Sequence, residues 1–435
     1  MIERLKTKLD LRRAPAIFCV ILLVFQPVWF YWRTVIGLRS HIPYDIEGYH
    51  FPQIAYLAQC LGKGVFPLWD PYSYAGMPIH ADMQAQLFYP PTWIVMLLGN
   101  LRPYYFYYWI EWMDPVHMML AGVTTFLLLR RMELRPAPAL LGASVFELGG
   151  FFASQAQHLC AICCAAWLPL ALLAVHESRH KFSRRWTAIF ALSIAMSVLA
   201  GFAAATIAVA FAVILFAVTL IAMRESSWRI FRSLVPGFIW AALIAAVILI
   251  PASTLTQLSM ASHRYLWLAG SGLPLESLVS LVHPNHYHIF DLEHYKLPFN
   301  ATFLYIYCGL VPVFLIALAL LTMRRRPALF LAATAVVTIL MLGMSTPVYA
   351  SLFPHLPDFL RSVLYPEYGL LAFSFFAGVT AACELDHFAS RLPHLFIWAL
   401  VLFTSWDLVH TGSKRPMNTY PGGPRQHDRQ DLEDT

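Results

Sequence analysis

The residues of this 435-residue chain best suited to chemistry lie in one polar stretch, 43–91. Asp45 and Glu47 stand two residues apart near its start. In an extended loop, alternate side chains point to the same side, so both carboxylates could face one ligand. Such a pair could take a proton from a hydroxyl group or hold Mg²⁺ or Mn²⁺ with water and phosphate oxygens. The alternative is that both carboxylates simply solvate the loop.

The rest of this stretch is rich in proline, glycine and aromatic residues, which is typical of a fixed, turn-rich structure. Asp70 precedes a proline, where aspartate often caps a turn. Asp82, close to His80, could bind a metal ion or a substrate hydroxyl, or could serve only the structure of the loop. The candidate substrate-contacting residues of this loop are Trp69, Asp70, Tyr72, His80, Asp82 and Gln84.

The composition indicates what surrounds this loop. The chain is 59% hydrophobic and only 12% charged, whereas soluble domains carry roughly 25% charged residues. This balance predicts a multi-pass membrane protein, and the 15% aromatic content fits helices with Trp and Tyr at both membrane interfaces. The net charge of +6 is no evidence for a nucleic-acid partner here. Most of the seven cysteines lie in apolar runs, which favours packing over disulfides or a metal site.

About eleven apolar segments predict an all-α fold, since about 20 helical residues cross the ~30 Å membrane core. The segment 87–100 is short and begins with two prolines, so we expect it to be interfacial or re-entrant. No cleavage site follows the basic residues 1–15, so the first apolar run predicts a transmembrane helix. The predicted spans are 16–36, 109–129, 138–154, 159–177, 186–201, 204–222, 234–252, 301–322, 328–343, 364–383 and 394–410.

The basic residues support this topology. With a cytoplasmic N-terminus, the inner segments carry 19 of the 30 Lys and Arg residues, as the positive-inside rule requires. We expect outer loops at 37–108, 253–300 and 344–363, a single membrane domain over 1–410, and a disordered polar tail over 411–435. The inner segments are 1–15, 130–137, 178–185, 223–233, 323–327 and 384–393.

The loop sequence PLWDPYSYAGMPIHADMQAQLFYP at 67–90 resembles the first outer loop of the YfhO family of bacterial membrane proteins. The resemblance continues in the same order along most of 40–385. It includes AAWLPLAL at 165–172, SHR at 262–264, LESLVSLVHPNHY at 275–287, TFLYIYCGLVPVFLIALAL at 302–320 and LGMSTPVYASLFPHLPDFLRSVLYP at 342–366.

The resemblance implies a type C (GT-C) glycosyltransferase fold in the bacterial inner membrane. It implies transfer of a sugar from a polyprenyl-phosphate carrier to an envelope glycan, lipid or protein acceptor on the outer face. Asp45, with Glu47, matches the acidic motif of the first outer loop. Arg264 and Arg361 would bind the donor phosphate, or alternatively anchor the protein in lipid headgroups. His158 precedes the matched helix and joins the candidate substrate residues.

Two other functions stay open from the sequence. A transporter or flippase of lipid-linked glycans should carry ionisable residues or broken helices near the middle of the membrane. A non-catalytic partner in envelope assembly is the other alternative. The polar residues concentrate in the predicted outer loops, which favours an enzyme. Glu111 and Glu147 lie within predicted helices, where ionisable residues are often functional, but no motif assigns them a role.

Overall fold

The predicted all-α architecture is confirmed by a computed structural model, which describes residues 14–263, 271–292 and 294–421. Arg264 lies outside the described residues. The longer helices are α1 (Ala14–Phe30), α2 (Phe51–Gly62), α3 (Pro90–Leu101), α4 (Met113–Arg131), α5 (Pro136–Leu148), α6 (Leu159–Ala165), α7 (Leu168–Glu177), α8 (Arg184–Leu199), α9 (Ala203–Ala222), α10 (Phe231–Gln257), α11 (Leu310–Thr322), α12 (Arg325–Met341), α13 (Gly369–Phe388) and α14 (His394–Gly412).

A helix lies at each predicted span, but the helices differ in length. Among the described residues, seven helical segments are long and apolar enough to cross a membrane, so the chain is a multi-pass membrane protein. The helices α1, α8, α11 and α12 are shorter, and the count of eleven stays a prediction. The seven segments are Pro103–Arg131, Pro136–Ser154, Leu159–Glu177, Ala203–Ala222, Trp228–Gln257, Pro366–Phe388 and His394–Gly412.

The predicted span 301–322 differs from the structure in its first part, because helix α11 begins only at Leu310. The preceding segment is buried but not helical. Gly309 has φ 95°, a left-handed conformation that favours glycine and interrupts a helix. Asp407 of α14 accepts hydrogen bonds from the Tyr307 hydroxyl (2.7 Å) and the Leu310 amide (3.2 Å). These bonds hold the non-helical segment inside the bundle and set the start of α11.

The first part of the predicted disordered tail is instead packed against the bundle. Arg415 is fully buried and donates to the carbonyl of Ala153 at 2.7 Å, and the Asn418 amide donates to the same oxygen at 2.8 Å. Strand β2 (Tyr420–Pro421) then pairs antiparallel with strand β1 (Ser40–His41), which follows the first helix. The segment 411–421 therefore packs against the start of the large first loop.

This strand pairing constrains the topology. Strand β1 lies beyond the end of the first helix and β2 beyond the end of the last, and hydrogen-bonded strands must lie on the same side of the membrane. The chain therefore crosses the membrane an even number of times between the two strands. Ten of the eleven predicted spans lie between them, so the prediction is compatible with this pairing.

Helix α5 forms the centre of the bundle. It packs against α4, α13 and α14, and the apolar part of Pro136–Ser154 is entirely buried. Gly142 makes this close packing possible, because a Cβ there would lie 3.1 Å from the Gly378 carbonyl and 2.9 Å from the Ala382 Cβ. Helix α10 lies at the edge of the bundle. Only 33% of the apolar stretch of Trp228–Gln257 is buried, so most of its surface is available to lipid.

Candidate functional site

The candidate site begins where the first loop folds back into a helix. Tyr44 has φ 65°, an unfavourable left-handed conformation for a residue with a side chain. Residues Ile46–His50 then form a π-helical turn that continues into α2. Both left-handed backbone outliers and π-helical turns are enriched at functional sites. The expectation of an extended loop at Asp45 is therefore wrong.

The two candidate carboxylates diverge as a consequence. Residues two apart on a helical turn do not share a face. The Asp45 carboxylate lies 3.6 Å from Nε2 of His158, whereas the Glu47 carboxylate lies 3.7 Å from Nε2 of His41. Each carboxylate thus has a different histidine neighbour, and the shared Mg²⁺ or Mn²⁺ site that the spacing of Asp45 and Glu47 suggested stays a prediction. Within the described ranges, no group of three or more His, Cys, Asp and Glu residues could hold a metal ion.

His158 is oriented by the short loop between the fifth and sixth helices. The Gln155 side chain donates to the Ser154 hydroxyl at 3.0 Å, which leaves its Oε1 to accept from Nδ1 of His158 at 2.7 Å. The Nε2 lone pair then faces Asp45, with the Gln157 amide as a second neighbour at 3.4 Å. Burial lowers the pKa of His158, and the Asp45 carboxylate opposes this shift. The network therefore favours a neutral imidazole with its acceptor nitrogen toward Asp45.

Asp45 and His158 differ in their exposure to solvent. The Asp45 side chain is 53% exposed and that of His158 is 17% exposed. Behind them lies His50, which is buried, with Nδ1 at 4.0 Å from the Cys160 sulfur. Burial, with a smaller contribution from the neighbouring His158, lowers the pKa of His50 to about 3. The site therefore presents one solvent-accessible acid in front of two imidazoles that are neutral near pH 7.

Asp82 holds the π-helical turn beside Asp45 through hydrogen bonds. One carboxylate oxygen accepts from the Tyr49 hydroxyl at 2.6 Å and the other from the Gln84 amide at 3.0 Å. Burial and the neighbouring Asp82 raise the pKa of Tyr49, so that it stays a hydrogen-bond donor. Gln84 in turn offers its backbone carbonyl to the Cys160 thiol at 3.4 Å. Asp82 thus ties the π-helical turn to the second half of the loop, as its structural interpretation predicted.

The close fit of this loop to the bundle depends on glycine at one position. Gly201 has φ 94°, and a Cβ there would lie 2.0 Å from the carbonyl of Met83. The Gln86 side chain also donates to the Ala200 carbonyl at 2.9 Å. The loop is therefore seated directly on the end of α8.

Asp70 and its neighbours form a separate hairpin. Asp70 is buried and accepts from the Tyr72 amide (2.9 Å) and the Ser73 hydroxyl (2.6 Å), which is the turn-capping role that its position suggested. An antiparallel bridge joins Asp70 to Met77. Trp69 is 55% exposed and Tyr72 82% exposed. These aromatic side chains are available to a ligand or to the membrane interface.

His80 and Arg361 occupy other places. Nδ1 of His80 lies 2.8 Å from the Leu68 carbonyl, so this residue closes the base of the hairpin. Arg361 lies in the short helix Asp358–Arg361 and is hydrogen-bonded to the carboxylate of Asp358. Its role in binding phosphate stays a prediction, as does that of Arg264.

Sequence reasoning did not find the residues that orient His158. Gln155 and Gln157 lie in the polar run SQAQH at the end of an apolar span, and this run was the available signal. The Gln157 amide also donates to the Thr302 hydroxyl at 3.0 Å, and Phe303 stacks on His158 with 6.4 Å between ring centroids. The buried, non-helical segment before α11 therefore lines the site.

No protein-family model matches this chain, and no curated protein matches it. Two solved structures share part of its architecture. An oligosaccharyltransferase from Archaeoglobus fulgidus, in complex with Zn and sulfate, is 14% identical, with a TM-score of 0.45 over 93% of this chain and 53% of that one. ArnT from Cupriavidus metallidurans, bound to undecaprenyl phosphate, is 10% identical, with a TM-score of 0.48 over 96% and 79%. The chain spans about half the length of the first, and likenesses at this level decide neither family nor function.

Proposed function

We propose that this protein is a membrane glycosyltransferase that moves a sugar from a polyprenyl-phosphate donor to an acceptor hydroxyl on the outer face of the inner membrane. The observation that carries the proposal is the pair formed by the accessible Asp45 carboxylate and Nε2 of the partly buried His158. The sequence resemblance of 40–385 supports the donor class and the GT-C fold. The acceptor would be an envelope glycan, lipid or protein.

In the proposed reaction, Asp45 takes the proton of the acceptor hydroxyl, and the oxygen of that hydroxyl attacks the anomeric carbon of the donor sugar. The bond between that carbon and the phosphate oxygen breaks, and polyprenyl phosphate leaves with one more negative charge. His158 can then receive the proton through Nε2, since the 3.6 Å separation from Asp45 needs only a small closure. Arg361 and Arg264 are the proposed partners of the leaving phosphate, because arginine offers paired donors to phosphate.

One observation favours the transporter alternative. Glu147 lies in the fully buried helix α5, and neither carboxylate oxygen has a hydrogen-bond partner in the part of the chain that the structure describes. Gly122 makes room for it, since a Cβ there would lie 2.2 Å from Oε2. Ionisable residues inside membranes often mark transport pathways. The enzyme stays the preferred proposal because the Asp45 pair is accessible from outside the bundle and Glu147 is not.

A reconstituted assay separates these two functions. Purified protein in liposomes receives lipid-linked sugar donors and a mixture of envelope acceptors, and the release of polyprenyl phosphate is measured by mass spectrometry. The enzyme proposal expects release that Asp45→Asn abolishes and Glu147→Gln leaves in place. Movement of intact donor between leaflets, lost in Glu147→Gln but kept in Asp45→Asn, would instead establish the transporter.

A further inference from the structure

A second polar site lies at the opposite end of the bundle from Asp45. The helical segment Pro103–Arg131 starts beside the first loop, where the Tyr107 hydroxyl donates to the Ile42 carbonyl at 2.6 Å, and it ends at Arg131. Just beyond that end is a cavity of about 230 Å³. Its lining residues are Leu134, Arg324, Arg326, Pro327, Cys383, Asp386 and His387.

Two carboxylates beside this cavity, Glu384 and Asp386, are already hydrogen-bonded to other groups. Arg324 donates to the fully buried Glu384 at 2.6 Å and lies over the ring of Phe388 at 4.6 Å. The Asp386 carboxylate accepts the Arg135 amide at 2.8 Å, and the Arg135 guanidinium bonds the Asp386 carbonyl. Both carboxylates therefore already have partners, whereas Arg326 forms no ion pair among the described residues.

Two hydrogen-bonding nitrogens of the lining have no assigned partner. Arg326 donates through Nη2 to the Met132 carbonyl at 2.7 Å. Its Nε and the Nε2 of His387 are shielded from solvent, and neither has a hydrogen-bond partner among the described residues. Polar atoms in such positions nearly always have a protein, water or ion partner. The cavity also adjoins the N-terminus of the 17-residue helix α12, where backbone amides favour anions.

We propose that this cavity binds a negatively charged phosphate group. Phosphate oxygens would accept from Nε of Arg326 and from Nε2 of His387, and the negative charge would pair with the Arg326 guanidinium. A water molecule occupies about 30 Å³ in the liquid, so a cavity of about 230 Å³ has room for a phosphate group. The phosphate belongs either to an anionic phospholipid of the adjacent leaflet or to free inorganic phosphate. This proposal is independent of the proposed enzymatic function.

The test measures thermal unfolding of the full-length protein in detergent by tryptophan fluorescence. The probes are phosphatidylglycerol in mixed micelles and potassium phosphate, against phosphatidylcholine micelles and potassium chloride at equal ionic strength. The variant is Arg326→Gln, the charge-preserving variant is Arg326→Lys, and the matched control is Arg229→Gln, an exposed arginine on the predicted cytoplasmic side. Each titration gives an apparent dissociation constant.

We expect one of the two probes to raise the unfolding temperature of the wild type and of Arg229→Gln in a saturable way. Arg326→Gln should raise the apparent dissociation constant of that probe about tenfold or more, since a charge-assisted hydrogen bond is lost. Arg326→Lys should raise it less. Saturation by phosphatidylglycerol alone identifies the lipid, and saturation by potassium phosphate identifies the free ion. Equal responses of wild type and Arg326→Gln to both probes would overturn the proposal. If Arg326→Gln does not fold, the same comparison is made with Arg326→Lys.

Discussion

The Asp45 carboxylate lies 3.6 Å from Nε2 of His158, and each residue is held by a different part of the fold. The Tyr49–Asp82 hydrogen bond (2.6 Å) anchors the π-helical turn that begins beside Asp45, and the Gln155 side chain (2.7 Å) anchors His158. Because both are anchored independently, the pair is held in place without a ligand. Catalytic groups that are already held in the reactive geometry lower the barrier more than groups that must first be ordered.

The first prediction concerns Asp45. Asp45→Asn keeps the shape of the side chain but removes its basicity, so transfer should fall by about 10²–10⁴-fold. The rate of polyprenyl phosphate release, measured at saturating donor, checks this. Glu47→Gln is the matched control, because Glu47 is also exposed but faces His41, and we expect a smaller effect. Near-normal transfer by folded Asp45→Asn would remove Asp45 from the mechanism.

The second prediction concerns Arg361. Arg361→Ala should raise KM for the lipid donor or lower kcat by one to two decades, since a charge-assisted phosphate bond contributes roughly 1.5–3 kcal/mol. Arg361→Lys should rescue only in part, because lysine offers a point charge instead of a fork. Asp358→Asn removes the carboxylate that now competes for Arg361 and should not weaken donor binding. Wild-type kinetics in Arg361→Ala would make this arginine a headgroup anchor.

The third prediction concerns pH and His50. This imidazole has a pKa of about 3 in the folded protein and about 6.5 when unfolded, so only the unfolded chain takes up its proton between these values. The contribution of the neutral, buried His50 to stability is therefore complete above about pH 6.5. It should be lost as pH falls, by about 1.4 kcal/mol per pH unit.

Unfolding in detergent at several pH values checks this effect. His50→Gln should flatten the dependence between pH 6.5 and 3, whereas substitution of the exposed His355 by glutamine should leave it unchanged. An unaltered acid dependence in His50→Gln would show that His50 does not stay neutral in the folded state.

The fourth prediction concerns Arg415. Burial lowers the pKa of Arg415 to about 10, so it stays charged at neutral pH while bonding Ala153 and lying 4.8 Å over the Tyr305 ring. Arg415→Met should destabilise the protein by roughly 1.5–3 kcal/mol through the lost charge-assisted bond. Because Ala153 directly precedes the loop that orients His158, activity should fall as well. The neighbouring, exposed Lys414 provides the control, and Lys414→Met should change neither property by a comparable amount.

The sequence determined the features that depend on local composition. Long apolar runs marked the membrane helices, because a segment of about 20 apolar residues is itself stable only inside lipid or a protein core. Asp70 before proline marked a turn, and the structure shows that turn. The loop on which Asp45 lies was recognised for the same reason, since its composition differs from that of all its neighbours.

Only the tertiary structure decided which of these residues meet. The separate histidine neighbours of Asp45 and Glu47 follow from the π-helical turn at Ile46–His50. The return of Arg415 to Ala153 depends on the burial of a cation that the polar tail composition did not predict. His158 faces Asp45 because helices far apart in the chain bury their apolar faces against one another. Packing of this kind is non-directional and cooperative, so residue types and spacing alone leave its outcome undetermined.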